Sequence, residues 1–157
     1  MRIVRTAALG AAVVMAAGVV VATQTPGTQT GQQFLLMKSA LFTWDSVPEK
    51  TTEQGSRRSV FAAPTATLDE LEHHTTTLKP GASPHPPHTH KNEEMLIIKS
   101  GTVEAYVNGE WKTAPTGSLL FFASMVPHTV RNSGTEPATY YVINWAALGS
   151  KAKADTK

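Results

Sequence analysis

Cysteine is absent from all 157 residues. The folded chain therefore holds no disulfide in any compartment, and thiolate drops out of the possible metal ligands. Lipid attachment through an N-terminal cysteine is excluded as well. An excess of one charge is also missing. Lysine and arginine number 14 against 12 acidic residues, and no basic run interleaves with aromatics, so no nucleic-acid partner is expected. Long apolar runs are confined to one place, Thr6 to Ala22, behind Arg2 and Arg5. That run falls short of the ~20 apolar residues of a spanning helix. Val20-Val21-Ala22 offers small residues to a signal peptidase, so 1–22 reads as a cleaved export signal in preference to a retained anchor. No adjacent arginines precede the run, which argues against twin-arginine export. The expected location is periplasmic or secreted. Without the signal, 12 cationic residues face 12 acidic ones, and the small positive balance disappears.

The remaining length suits one domain with a core of its own. Thr23 to Gln33, rich in Thr, Gln and Gly, reads as a linker. Residues 34–148 read as the domain, and 149–157, small and charged, as a disordered tail. Phe34 to Trp44 is apolar enough for a first strand or for a segment docked on the domain. Arg57 to Ala62 is a second strand candidate. Thr67-Leu68-Asp69-Glu70 carries a capping-box pattern and predicts one helical turn. The threonine run inside Glu72 to Leu78 predicts a strand that ends at Pro80-Gly81. Beyond it, strands are expected at Met95–Lys99, Thr102–Val107, Glu110–Thr113, Ser118–Ala123, His128–Asn132 and Thr139–Trp145. Asn108-Gly109 is a hairpin signal, because both positions of that turn need positive φ. Many short strands with frequent turns indicate an all-β sandwich or barrel. No internal repeat is present.

His88 and His90 are two apart, a spacing that puts both imidazoles on one face of a strand. Glu94 opens the next strand and can return a carboxylate toward them, and His128 arrives from another hairpin. Three imidazoles and one carboxylate suit one divalent transition metal, Mn, Fe, Co, Ni, Cu or Zn, and suit Ca or Mg poorly. Four protein ligands would leave an octahedral ion two positions for water or substrate. Glu93 competes with Glu94, but alternation from Glu94 puts Leu96 and Ile98 inward with it and leaves Glu93 facing solvent. His73 and His74 are adjacent on a strand, so only one can line a cavity. His85, in a proline-rich loop, reads as exposed, with a base or lid role as its alternatives. Pocket candidates are Phe121 or Phe122, Tyr140 or Tyr141, Asn144 and Trp145, each of which packing alone would also explain. Arg131 is expected to face outward, so no arginine is placed to clamp a carboxylate.

Gly81, His88, His90, Glu94 and Gly101 form G-x6-H-x-H-x3-E-x6-G. Gly109, Pro115, Gly117, His128 and Asn132 form G-x5-P-x-G-x10-H-x3-N. Together these closely resemble the two motifs of the cupin superfamily, over roughly residues 70–146, and the pattern is similar to that of small exported bacterial cupins. The Gly81-to-His88 step is one residue longer than the usual form, with Pro84, Pro86 and Pro87 inside it. The resemblance implies a double-stranded β-helix barrel with a metal on His88, His90, Glu94 and His128. It gives Asn132 a part in closing a turn. It also implies a homodimer, in which the Phe34–Trp44 segment adds to the partner's sheet. The expected function is that of a metal-dependent enzyme on a small organic molecule, of dioxygenase, isomerase, decarboxylase or hydrolase type. The alternative is a small-ligand or metal-binding module without turnover, its metal mainly structural. No general acid or base beyond the ligands is evident unless His85 or a tyrosine serves.

Overall fold

Strict alternation of apolar and polar residues, broken by glycine and proline turns, gives strands and no α-helix among the residues that the computed structural model describes, 36–151. The expected signal, the linker and the last six residues of the tail lie outside them. The strands are β1 (Lys50–Thr52), β2 (Gly55–Ala63), β3 (Leu68–Leu78), β4 (Glu93–Ser100) and β5 (Thr102–Val107). They continue with β6 (Glu110–Pro115), β7 (Leu119–Phe122), β8 (Thr129–Asn132) and β9 (Ala138–Ala147). Six form one antiparallel sheet in the order β1-β2-β3-β9-β4-β7, and three form a second, β6-β5-β8. This is the expected all-β cupin fold.

The core consists of the apolar inner faces of the two sheets. Leu96 and Ile98 of β4 and Val142 of β9 are buried in one cluster with Val103 and Ala105 of β5 and Val130 of β8. Each large aliphatic side chain removed from water in this way contributes about 1.5–3 kcal/mol. The β5–β6 hairpin turns at Asn108 (φ 53°) and Gly109 (φ 87°), the left-handed pair that its sequence requires.

Three local expectations give way to tertiary structure. Residues 36–43 form no strand. They dock on the barrel, the second of the two readings of this segment. Met37 N donates to Pro64 O (2.9 Å), Phe42 packs on Phe61 (centroids 5.4 Å apart), and the Arg58 guanidinium lies over Trp44. The helical turn at Thr67–Glu70 is absent, since Leu68 and Glu70 pair with Ala147 and Ala146 and open β3. His88 and His90 are not on a regular strand either. The segment between β3 and β4 is a loop touching β-structure only at a bridge, with His88 N to His128 O at 3.2 Å and His128 N to His88 O at 3.0 Å. Pro84, Pro86 and Pro87 have no N–H to donate to a ladder, so the loop cannot be zipped further.

Asn132 ties the turn between β8 and β9 to the end of β3. Its Nδ2 donates to Leu78 O (3.0 Å) and Glu136 O (2.8 Å), and its Oδ1 accepts from Gly134 N (2.9 Å), all at 1% exposure. Asn132→Ala leaves buried backbone groups unpaired and should cost about 2–3 kcal/mol in urea unfolding. Arg131→Ala, one residue earlier on the outer face with its Glu104 ion pair, should cost less than about 1 kcal/mol. Equal losses would remove Asn132 from this role.

Candidate metal centre

The strand register stacks inward side chains in rows across the larger sheet. Glu72, Asn144, Glu94 and Phe122 occupy neighbouring positions on β3, β9, β4 and β7. Two residues along lie His74, Val142, Leu96 and Leu120, and two further lie Arg57, Thr76, Tyr140 and Ile98. Most of these side chains, with His85, His88, His90 and His128 from the loops, line one cavity of ≈ 230 Å³.

Three imidazoles converge there. The ligating atoms of His88, His90 and His128 all lie within 4.8 Å of one another, and Nε2 of His90 is 3.2 Å from Nε2 of His128. Glu94 reaches the same point, with Oε2 3.5 Å from His90 Nε2 and Oε1 3.8 Å from His128 Nε2. Two donors each bound at ~2.1 Å to one ion stand about 3.0–3.4 Å apart for octahedral or tetrahedral angles. The imidazole pair lies inside that range and the carboxylate within a few tenths of an ångström of it. The nitrogen and oxygen donor set fits a late first-row divalent ion.

The surroundings orient these groups. His90 Nδ1 donates to Asn92 O and His128 Nδ1 to Val126 O, both at 2.8 Å. A carbonyl can only accept, so each ring carries its proton on Nδ1 and turns an Nε2 lone pair toward the cavity. Phe122 stacks on the buried His128 ring at 4.4 Å. Asn92 Nδ2 donates to Asn144 Oδ1 (2.6 Å), and Asn144 Nδ2 donates to Glu94 Oε2 (3.1 Å), so a chain of amides aims the carboxylate.

Phe122, Tyr140 and Asn144 line the cavity; Phe121, Tyr141 and Trp145 do not. Glu93 points away from it, as expected, yet it is not free in solvent, for Trp145 Nε1 donates to its Oε2 at 3.0 Å. Phe121 packs beside that same indole. Of the adjacent pair, His74 is inward and His73 outward, against Phe61 and Tyr141. His85 is exposed at the mouth, its ring 4.1 Å from that of His88. Arg131 is outward. The absence of an inward arginine is overturned, because Arg57 lines the cavity together with Glu72 and His74. The alternation of β3 contained the signal for Glu72 and His74. Arg57 needed the β2–β3 pairing, which no local pattern supplies.

Comparison with known proteins agrees with this architecture. Residues 74–144 match the model of the family described as Cupin domain. No curated protein matches. Among solved structures, an RmlC-like cupin from Shewanella frigidimarina superposes with TM-score 0.59 at 14% identity, over 73% of this chain and 96% of that one. The Cnp3 cupin domain of Schizosaccharomyces pombe gives 0.59 at 17% identity over 74% and 81%. KdgF from a Halomonas species gives 0.58 at 16% over 68% and 94%. The likenesses show the shared fold, and with the family match they support the cupin superfamily.

Burial, followed by the neighbouring imidazoles of His85, His128 and His90, holds the His88 pKa below its ordinary value. Unfolding restores the ordinary value of ~6.5, so the unfolded chain binds the extra proton first. The penalty is absent above that pH and grows as the pH falls below it toward the lowered folded value. The urea midpoint of the metal-free chain should therefore drop between about pH 7.5 and about pH 5.5, and His88→Asn should reduce that drop. An undiminished drop in the variant would place the cause elsewhere.

Proposed function

We propose that this chain, as a member of the cupin superfamily, holds one divalent transition-metal ion through His88, His90, Glu94 and His128. We further propose that it acts as an enzyme on a small organic molecule in the adjoining cavity, of dioxygenase, isomerase, decarboxylase or hydrolase type. The observation that carries the reading is the convergence of three imidazole nitrogens within 4.8 Å, with Glu94 beside them, at the wall of a cavity. An ion held there would polarise an oxygen of the bound molecule as a Lewis acid.

The chain's own groups divide the remaining work. His90 and His128 are pinned by backbone carbonyls and Glu94 by Asn144, so the donor atoms are in place before any ion binds. Leu96, Phe122 and Val142 give the cavity a dry wall. His74 adds a group able to handle a proton, its Nδ1 bonded to Glu72 Oε1 at 2.7 Å. That pair favours turnover over a binding module, because it provides an acid–base residue outside the ligand set. The apolar run behind Arg2 and Arg5 supports export. A mature N-terminus at or near Thr23 is expected, and an intact Met1 in a membrane fraction would indicate the anchor instead.

Two neighbouring glutamates separate the metal assignment from its nearest rival. Glu94→Gln keeps the volume but replaces an anionic oxygen by a neutral amide, and should weaken metal binding by at least ~10-fold. Glu93→Gln keeps an oxygen to accept from Trp145 and should leave metal affinity unchanged. Metal content and competitive chelator titration read both variants. Loss of metal in Glu93→Gln with retention in Glu94→Gln would overturn the assignment.

A further inference from the structure

The wall of the cavity contributed by β2 and β3 carries a cation that no metal ligand accounts for. Arg57 stands three strands across the sheet from Glu94, yet both line the same cavity. Its Nη2 donates to Glu72 Oε1 at 3.1 Å, and the same oxygen is held by His74 Nδ1 at 2.7 Å. Glu72 is thus engaged from both sides, while Arg57 uses one of its five N–H groups on it. Among the described residues no other hydrogen bond occupies the guanidinium.

We infer that this wall is a carboxylate-binding subsite, with Arg57 as the anchor, and that the cavity takes a small monocarboxylate. The inference deepens the metalloprotein reading, on which its charge balance rests. Arg57, Glu72 and Glu94 are the permanently charged side chains that line the cavity; the other ionisable groups there are histidines and Tyr140. With a divalent ion in place, the two cations exceed the two carboxylates by a single positive charge. A neutral ligand leaves that charge uncompensated in a half-enclosed site, a monocarboxylate cancels it, and a phosphate dianion overshoots it. The planar guanidinium fork matches a carboxylate with two parallel N–H···O bonds.

The neighbours fit such a molecule. Tyr140 and Thr76 share Arg57's row and line the same cavity. Burial raises the pKa of Tyr140 well above the usual phenol range, so its hydroxyl stays neutral and able to donate. Leu96, Phe122 and Val142 face the carbon skeleton. The cavity has a volume of ≈ 230 Å³. It has room for a short-chain acid.

The test is calorimetric titration of the metal-loaded full chain with lactate, with lactamide as a neutral counterpart of the same shape, and with inorganic phosphate. Lactate should bind at least ~10-fold more tightly than lactamide. Arg57→Gln should abolish that preference with metal content unchanged, and Arg57→Lys should retain part of it. Equal affinity for lactate and lactamide, undiminished lactate binding in Arg57→Gln, or phosphate binding tighter than lactate would each overturn the subsite. Failure of the parent chain to take up metal in a chelator titration would sink the metal reading separately. In that metal-free chain Arg57, Glu72 and Glu94 sum to one negative charge, so the preference for lactate over lactamide should be lost there, and its persistence would overturn the charge argument.

Discussion

The position of β9 between β3 and β4 is the constraint on which the cavity depends. Its register with both neighbours puts Asn144 beside Glu72 on one side and Glu94 on the other, and Tyr140 beside Thr76 and Ile98. Side chains alternate between faces with a period of two, so a slip of one residue would turn every one of these groups to the outside of the barrel. The same slip would carry Trp145, Tyr141 and Ile143 inward and fill the cavity with bulk. The buried apolar residues Leu96, Ile98 and Val142 enforce the register, because their burial is lost in any slipped pairing. The polar site is held in place by the hydrophobic residues next to it.

Polar groups inside a barrel are tolerated when they are bonded, and the amides, the carboxylate and two of the imidazoles here have partners. Asn92, Asn144 and Glu94 form a directed series of amide donors ending on a carboxylate. The imidazoles of His90 and His128 spend their N–H on carbonyls two residues away, which makes their orientation a property of local backbone. His88 and His128 also share a backbone bridge, so two of the three imidazoles approach each other through main-chain hydrogen bonds before any side-chain preference acts.

Much of this was legible in the residues themselves. The alternation of Thr102 to Val107 and the Asn108-Gly109 pair specify their hairpin locally, and they appear as expected. The inward position of Glu94 followed from its parity with Leu96 and Ile98. The adjacency of His73 and His74 dictated that they separate, though which one faces inward was decided by pairing with β9. Contacts between distant strands left no local trace. Arg57 enters the cavity because β2 pairs with β3, and Thr67 to Glu70 gives up its helical signal because β9 supplies a ladder there. The docked segment 36–43 is likewise held by contacts with distant residues, Phe61 and Pro64.

The loop that carries His85 and His88 holds Pro84, Pro86 and Pro87, each with a backbone angle set by its ring before the chain folds. Ordering the rim of the cavity therefore costs less conformational entropy than ordering a loop of ordinary residues would.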